Sequence, residues 1–258
     1  IKYLLHYHGS LEILDFGEGK VMLVSVCAKP SGILVGRQIK ELKNDLPDYE
    51  TRIPAIYRNE ELIIPSGDTT ILEGDEVFFI ADEKHIEDVT KELQQLENKY
   101  VNVYIAGAGN IGRSLAGKIN DEFNIKLIEK NTEISELASE KLDNVLILNA
   151  DAADQEFLGS EAIEDCDAFV AVTQDDETNV LCSLMAKKLG TKKSITIINK
   201  EAYFDLVGKN ELDIIISPVG FIAPVGHTLL QATQGFPHSA LLLRKFSNLT
   251  FPKIPRPA

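Results

Sequence analysis

The sequence predicts an α/β fold, a domain built on a parallel β-sheet preceded by a small α+β module. Three observations predict it. Residues 98–218 alternate apolar runs with amphipathic segments, as repeated strand–helix units require. Within them, residues 101–112 read V-N-V-Y-I-A-G-A-G-N-I-G, an apolar run that passes through a glycine turn into helical periodicity. Residues 10–97 instead hold short strand-like runs separated by turn residues.

The glycine turn carries the most chemistry. Gly107, Gly109 and Gly112 are spaced G-x-G-x-x-G between a strand and a helix, the setting of the Rossmann-like dinucleotide-binding fingerprint. Gly107 permits the tight turn, Gly109 has no side chain to block a pyrophosphate, and Gly112 lets the helix lie close to the strand. Ala108, Asn110 and Ile111 fill the intervening positions, and backbone N–H groups there meet phosphates at the positive helix end. The next strand, residues 125–129 (I-K-L-I-E), ends in Glu129, about 20 positions beyond the glycines, where a ribose-binding carboxylate is expected. A carboxylate accepts both ribose hydroxyls and repels a 2′-phosphate, which favours NAD(H) or an adenine nucleotide over NADP(H). Lys130 runs against this, because a cation there can point at phosphate.

The remaining elements of the second half follow in order. Strands are expected at 101–106, 125–129, 145–149, 168–173, 194–199 and 213–217, with helices at 111–121, 132–142, 154–162, 176–189 and 201–207. Ligands of such sheets bind beyond the carboxyl ends of the strands. Those ends hold residues 107–111, Glu129, Asp151 with Ala152, and Thr173 with Gln174, so all converge on one crevice. Asp151 has two readings, an adenosine contact or a helix cap, and Asp154 is an equally good cap. Thr173 offers its backbone or hydroxyl to a ligand, or is a plain strand-end threonine.

The first half is expected to hold a strand at 19–27, a short helix at 35–46 with Ile39 and Leu42 on one side, and strands at 53–57 and 61–64 around a turn at 58–60. A loop at 65–68 and Gly74-Asp75 lead to a strand at 76–81. An amphipathic helix at 84–97 closes the module, with Ile86, Val89, Leu93 and Leu96 on one face. Arg37, Arg52 and Arg58 read as solvated surface residues, with an anion site as the alternative.

Composition sets the outer bounds. A length of 258 residues suggests roughly two domains. A formal net charge of −14 argues against nucleic acid or anionic lipid as partners. No apolar run approaches the ~20 residues that cross a bilayer, and no secretory signal opens the chain. Cys27, Cys166 and Cys182 fit neither a metal spacing nor a disulfide framework, which points to reduced thiols and a cytoplasmic location. Cys182 reads as a core residue. From Val219 onward the chain has no Asp or Glu, and six of its ten prolines lie from Pro218 to the end, so this tail is expected to be extended or disordered. An NAD-dependent oxidoreductase is the rival to a binding function. It needs an acid or base near the nicotinamide, yet none of His6, His8, His85, His227 and His238 falls at a strand end of the nucleotide domain.

Two stretches carry a family resemblance. Residues 51–77 read T-R-I-P-A-I-Y-R-N-E-E-L-I-I-P-S-G-D-T-T-I-L-E-G-D-E-V. They are followed in order by Y-I-A-G-A-G-N-I-G, L-I-E-K, N-A-D-A-A-D-Q-E-F-L and F-V-A-V-T-Q-D-D-E-T-N. From about Gly9 to Pro218 the chain resembles the TrkA family of RCK (KTN) proteins, regulatory subunits of bacterial Trk potassium uptake systems. The resemblance implies that residues 1–9 end a preceding, missing domain, 10–97 form a TrkA-C (RCK-C) module, 98–218 form the TrkA-N (RCK-N) nucleotide domain, and 219–258 are a divergent tail. It implies a non-enzymatic, nucleotide-sensing homo-oligomer, cytoplasmic and peripheral to the inner membrane, that gates a TrkH/TrkG-type potassium transporter. NAD(H) is the first ligand implied, with ATP or ADP as the alternative. Two departures stand out. Ala150 precedes Asp151 where the family has glycine, and after Ser217-Pro218 the acid-free tail replaces a helix and a second C module. A changed reading frame or an early truncation would produce such a tail, and family-like DNA downstream in another frame is the check.

Overall fold

The structure, a computed structural model, describes residues 1–7, 10–16, 21–30, 33–42, 51–59, 61–82, 85–86, 100–200, 202–203, 207, 211–217 and 221–224. The first module begins with a short helix α1 (Lys2–His6), followed by strands β1 (Ser10–Phe16), β2 (Val21–Cys27), β3 (Arg52–Arg58), β4 (Glu61–Ile63) and β5 (Glu76–Ala81). The five strands form one antiparallel sheet in the order β1-β2-β5-β3-β4. Alternation divides its residues. Met22, Val24, Val26, Val77 and Phe79 enter the main core, while Leu23, Ala55, Tyr57 and Phe78 form a separate cluster.

Three features of this module differ from the sequence expectation. Helix α1 and strand β1 are additional to the elements expected from sequence. The helix expected at 35–46 is not formed over its described part. Gly36 sits at φ +82°, Gln38 bridges to Thr70, and the N–H groups of Ile39 and Lys40 donate to Thr69 and Gly67 carbonyls. Pairing with 67–71 satisfies the backbone groups that a helix would have used. Arg58 is not a solvated arginine. Its Nε and Nη2 donate to the two carboxylate oxygens of Asp75 at 2.7 and 2.6 Å, and Nη2 also donates to the Thr70 carbonyl at 2.8 Å. The fork fixes the end of the β3–β4 hairpin to the G-D turn before β5. Apart from His85 and Ile86, the helix expected at 84–97 lies outside the described residues.

The second module contains β6 (Asn102–Ala106), α2 (Asn110–Ile119), β7 (Asn124–Glu129), α3 (Thr132–Lys141), β8 (Val145–Asn149), α4 (Gln155–Ser160), β9 (Ala168–Ala171), α5 (Asp176–Lys188), β10 (Lys193–Ile197), β11 (Ile214–Ser217) and β12 (Phe221–Pro224). Its sheet runs β12-β11-β10-β9-β6-β7-β8, all parallel except β12. Central strands are apolar on both faces, as parallel strands covered by helices must be. Val103, Ile105, Val170 and Ile195 pack with Leu115, Ala116 and Ile119 of α2, and Tyr104, Ala106, Phe169 and Ala171 pack with Leu158, Cys182 and Ala186. Cys182 is thus a core residue, and burial pushes its thiol up to about 12.

Element ends shift by a few residues. The helix expected at 154–162 stops at Ser160, where Ala162 takes φ +55° and a 3-10 turn (Ile163–Asp165) follows. The strand expected at 168–173 stops at Ala171. The sheet also continues past the boundary expected at Pro218, because β12 pairs antiparallel with β11 and places Pro224 opposite Ile214. That is an edge position, where proline's missing N–H is tolerated. The helix expected at 201–207 lies mostly outside the described residues, as do residues 225–258.

The two modules share one core. Leu4 and Leu5 of α1 and the inner face of the first sheet lie in the same buried cluster as Val103, Ile105, Leu115 and Ile119. His6 Nε2 stands 2.8 Å from a Glu122 carboxylate oxygen, and its ring lies against Phe123. Lys193 reaches across to donate to the Ser10 carbonyl at 2.9 Å. Among the described residues, no helix is long and apolar enough to cross a membrane.

Candidate nucleotide-binding crevice

Strand β6 lies between β7 and β9, and the chain leaves β6 into α2 and β9 into α5. This is the point where strand order reverses, and a crevice opens there beyond the carboxyl ends. Each glycine of the turn has its own reason. Gly107 takes φ +102°, and a Cβ on it would stand 2.9 Å from both Cα and N of Thr173. A Cβ on Gly112 would stand 1.9 Å from the Gly107 carbonyl oxygen. A Cβ on Gly109 would meet nothing within 4 Å, so this position borders open space.

Helix ends decide where an anion is welcome. Asn131 caps α3, Asp154 caps α4 and Asp175 caps α5, each accepting first-turn N–H groups. Helix α2 has Gly109 at its cap, no side-chain cap and no acid in its first turn. Its leading N–H groups and the positive end of its dipole remain available to a ligand.

Glu129 stands opposite. One carboxylate oxygen accepts the Ala108 N–H at 2.8 Å and the other accepts the Asn131 N–H at 2.9 Å. The two bonds fix the carboxylate between the glycine turn and the start of α3. They leave acceptor capacity on both oxygens for hydroxyl groups. They also mean that the Ala108 N–H serves Glu129, so the anion-binding donors are those at the α2 end.

The crevice holds about 340 Å³ and is lined by Gly107, Gly109, Glu129, Lys130, Asp151, Ala152 and Thr173 among the residues singled out from sequence. Ala108 is buried beneath the turn, and Gly112 is packed behind it. Asn110 and Ile111 form the first positions of α2 outside the lining. Gln174, expected at the same strand end as Thr173, lines it too, with seven further residues: Ile128, Asn131, Ile134, Ala150, Val172, Asp175 and Thr178. Ile128, Ala150 and Val172 flank the strand ends and were findable from strand position, whereas Ile134 enters from the first turn of α3. Asp175 and Thr178 belong to a capping motif, D-x-x-T before a helix, that sequence also carried.

The two readings of Asp151 separate here. Asp154 is the helix cap, accepting N–H groups of Glu156 and Phe157, while Asp151 accepts the Ala153 N–H at 2.9 Å and lines the crevice. Thr173 lines the crevice with its N–H and hydroxyl both already bonded, at 2.8 and 2.7 Å, to Asn179. Hydrogen bonds from the Thr178 hydroxyl and N–H hold the Asp175 carboxyl below its ordinary range. The crevice therefore combines an uncapped helix end, suited to phosphate, with a positioned carboxylate suited to vicinal hydroxyls.

Comparison with known proteins agrees with this arrangement. The TrkA-N domain family matches residues 103–218 and the TrkA-C domain family matches residues 23–94, together most of the chain. The Trk system potassium uptake protein TrkA of Vibrio alginolyticus is 44% identical over 218 residues, covering 84% of this chain and 48% of that protein. Its counterpart in Halomonas elongata is 43% identical over 235 residues, covering 91% of this chain and 51% of that protein. The chain thus spans about half the length of the curated relatives it matches. Among solved structures, the GsuK RCK domain superposes with a TM-score of 0.56 at 16% identity, covering 83% of this chain and 46% of that one. A GsuK channel bound to NAD superposes with a TM-score of 0.56 at 18% identity, covering 83% and 38%. With a TrkA-C domain followed by a TrkA-N domain, and this identity to TrkA proteins, the chain belongs to the TrkA family.

Proposed function

We propose that this chain is the nucleotide-sensing part of a regulatory subunit that gates a membrane potassium-uptake transporter, and that it is not an enzyme. The observation that carries the reading is the pairing of an uncapped α2 N-terminus with the fixed Glu129 carboxylate across one crevice. That pairing suits a ligand with phosphate at one end and a free ribose diol at the other, which favours NAD(H), with ATP or ADP as the alternative. Relatives named Trk system potassium uptake protein TrkA, and a GsuK channel solved with NAD, support the transport context. Gly107, Gly109 and the N–H groups of Asn110, Ile111 and Gly112 cradle the pyrophosphate. Glu129 takes the ribose, Lys130 lies beside it, and Asp151 with Ala152 borders the adenosine. Bound nucleotide shifts a homo-oligomeric assembly between two arrangements, and only by the difference in its affinity for them. The assembly acts on a TrkH/TrkG-type transporter from the cytoplasmic face of the membrane.

Calorimetric titration with NADH, NAD+, ATP and ADP tests the reading, with Gly109→Arg as control. Binding by the parent and its loss in the control supports the crevice and names the ligand. An absence of binding to all four rejects the nucleotide reading. Turnover of a hydride donor would establish an oxidoreductase instead.

A further inference from the structure

Asn179 lies one turn inside α5 and is fully buried. Its Oδ1 accepts the Thr173 N–H at 2.8 Å and the Thr173 hydroxyl at 2.7 Å. Its Nδ2 donates to the Thr173 carbonyl at 3.2 Å and to the Ile197 carbonyl at the end of β10 at 3.0 Å. One side chain thereby closes on the N–H, the hydroxyl and the carbonyl of a single residue, and uses its last donor to tie that residue to the next strand. The donors and acceptors fix which way the amide faces, since a flipped amide would set its NH2 against the Thr173 N–H.

Thr173 is also the surface on which the glycine turn rests. Gly107 approaches its backbone so closely that a Cβ would be 2.9 Å from Cα and N, and the Gly107 carbonyl in turn leaves no room for a Cβ on Gly112. Contacts this tight transmit a displacement rather than absorb it. The sequence of contacts runs from Asn179 to Thr173, to Gly107, to the first turn of α2. Glu129 and Asp151 stand on the other side of β6. The N–H groups of Asn131 and Ala153 hold them from outside the turn, and of these three bonds only that from Ala108 to Glu129 comes from the turn itself.

We propose that Asn179, which does not line the crevice, is a positioning residue that sets the seat of the phosphate-binding turn and so governs affinity for the pyrophosphate half of the ligand. The proposal rests on the nucleotide reading above. It makes a distinction that a general loss of stability would not. Removing Asn179 weakens ligands that carry a pyrophosphate and spares adenosine, which uses Glu129 and Asp151.

The test compares the full chain with Asn179→Ala and Thr173→Val. Affinities for NADH and ADP are read by calorimetry and for adenosine by NMR titration, and the melting temperature of each ligand-free protein is recorded. Thr173→Val keeps the shape against Gly107 and removes the hydroxyl, with its bond to Asn179 and its bonds to the Asp175 carbonyl and N–H, while the Thr173 N–H and carbonyl keep theirs to Asn179. Loss of the amide should weaken NADH and ADP about tenfold, and loss of the hydroxyl about threefold, with adenosine changed less than about twofold in both. Equal weakening of NADH and adenosine, or unchanged NADH affinity in the variants, overturns the proposal. If Asn179→Ala does not fold, the NADH-to-adenosine ratio of Thr173→Val decides alone. A parent that binds neither NADH nor ADP removes the nucleotide reading itself and this proposal with it, whereas a parent that binds beside unaffected variants removes only the role of Asn179.

Discussion

Three glycines share one motif, but the structure gives them different jobs, and substitution by alanine should separate them. At Gly112 the new methyl would lie 1.9 Å from the Gly107 carbonyl oxygen, where an ordinary carbon–oxygen contact needs about 3.3 Å. Turn and helix must therefore part by more than about 1 Å. Such overpacking costs about 1–3 kcal/mol, and the better helix propensity of alanine returns at most about 1 kcal/mol. The obstacle is backbone, so the upper part of the range applies and Gly112→Ala should destabilise by about 2 kcal/mol, or about 5 °C in melting temperature. At Gly109 the methyl meets nothing within 4 Å, and φ −66° with ψ −169° is open to any residue. A small loss of cap quality and a small gain in chain entropy offset each other to within about 0.5 kcal/mol. The methyl would nevertheless occupy the approach to the α2 N-terminus and weaken nucleotide binding about tenfold, or about 1.4 kcal/mol. Thermal melts and calorimetry on both variants read the two effects separately. The reasoning fails if Gly109→Ala lowers the melting temperature as much as Gly112→Ala, or if Gly112→Ala binds nucleotide as the parent does.

Three more outcomes follow from the packing. Arg58→Ala strands the buried Asp75 carboxylate and should cost about 3 kcal/mol or more in urea unfolding, with Arg58→Lys restoring only part because it lacks the fork. Glu76 is buried, and burial pushes its carboxyl up to about 7 from 4.5 against a smaller opposing pull from the Ser25 hydroxyl. The fold then holds a proton that the unfolded chain has released, so stability should fall by about 1.4 kcal/mol per pH unit between about 4.5 and 7 through this group. Glu76→Gln should abolish that slope in denaturation midpoints. Burial lowers Lys193 to about 8 from 10.5, so the unfolded chain binds the extra proton between these values and stability should rise with pH across that window. Lys193→Met should flatten the rise. At pH 7 it should stabilise by about 2 kcal/mol, the cost of a buried charge less the bond to Ser10.

What could be read in advance followed from how local the signal was. In the second module each strand and its following helix are written in one contiguous stretch, so β6, β7, β8, α2, α3 and α5 fall within about two residues of their expected ends. Glu129 was legible because its distance from the glycines is fixed by one strand–helix unit. The expected helix at 35–46 failed for the opposite reason. Its periodicity was real, but the backbone partners at 67–71, which draw the chain away from a helix and hold Gly36 at φ +82°, lie beyond any local window. Arg58 looked like a surface arginine because its partner is 17 positions away across a hairpin. Asn179 was invisible for a subtler reason. An asparagine inside a helical pattern reads as a mild helix breaker, and only the approach of Thr173 and Ile197 shows that all its polar capacity is spent.

A chain of net charge −14 must still present a local site for an anion if the reading of the crevice is correct. Distance dispenses with most of that charge, since fields decay over about 8 Å in physiological salt. The acids that matter line the crevice, and all three accept hydrogen bonds, Asp151 from the Ala153 N–H. Glu129 holds two backbone N–H groups, and Asp175 holds the N–H and hydroxyl of Thr178. Each such bond spreads the carboxylate's charge onto donors that face it, which lessens its repulsion of a neighbouring phosphate. Among the four described α-helices of the second module, only α2 has no acid in its first turn and no side-chain cap. Capping three helices internally and leaving the fourth open concentrates unsatisfied donors at one point of the sheet. The glycines keep side chains away from that point, and Thr173, held by Asn179, keeps it in place. An acidic composition is therefore compatible with binding a small anion, because recognition of such a ligand depends on donors within one helical turn and not on the charge of the whole.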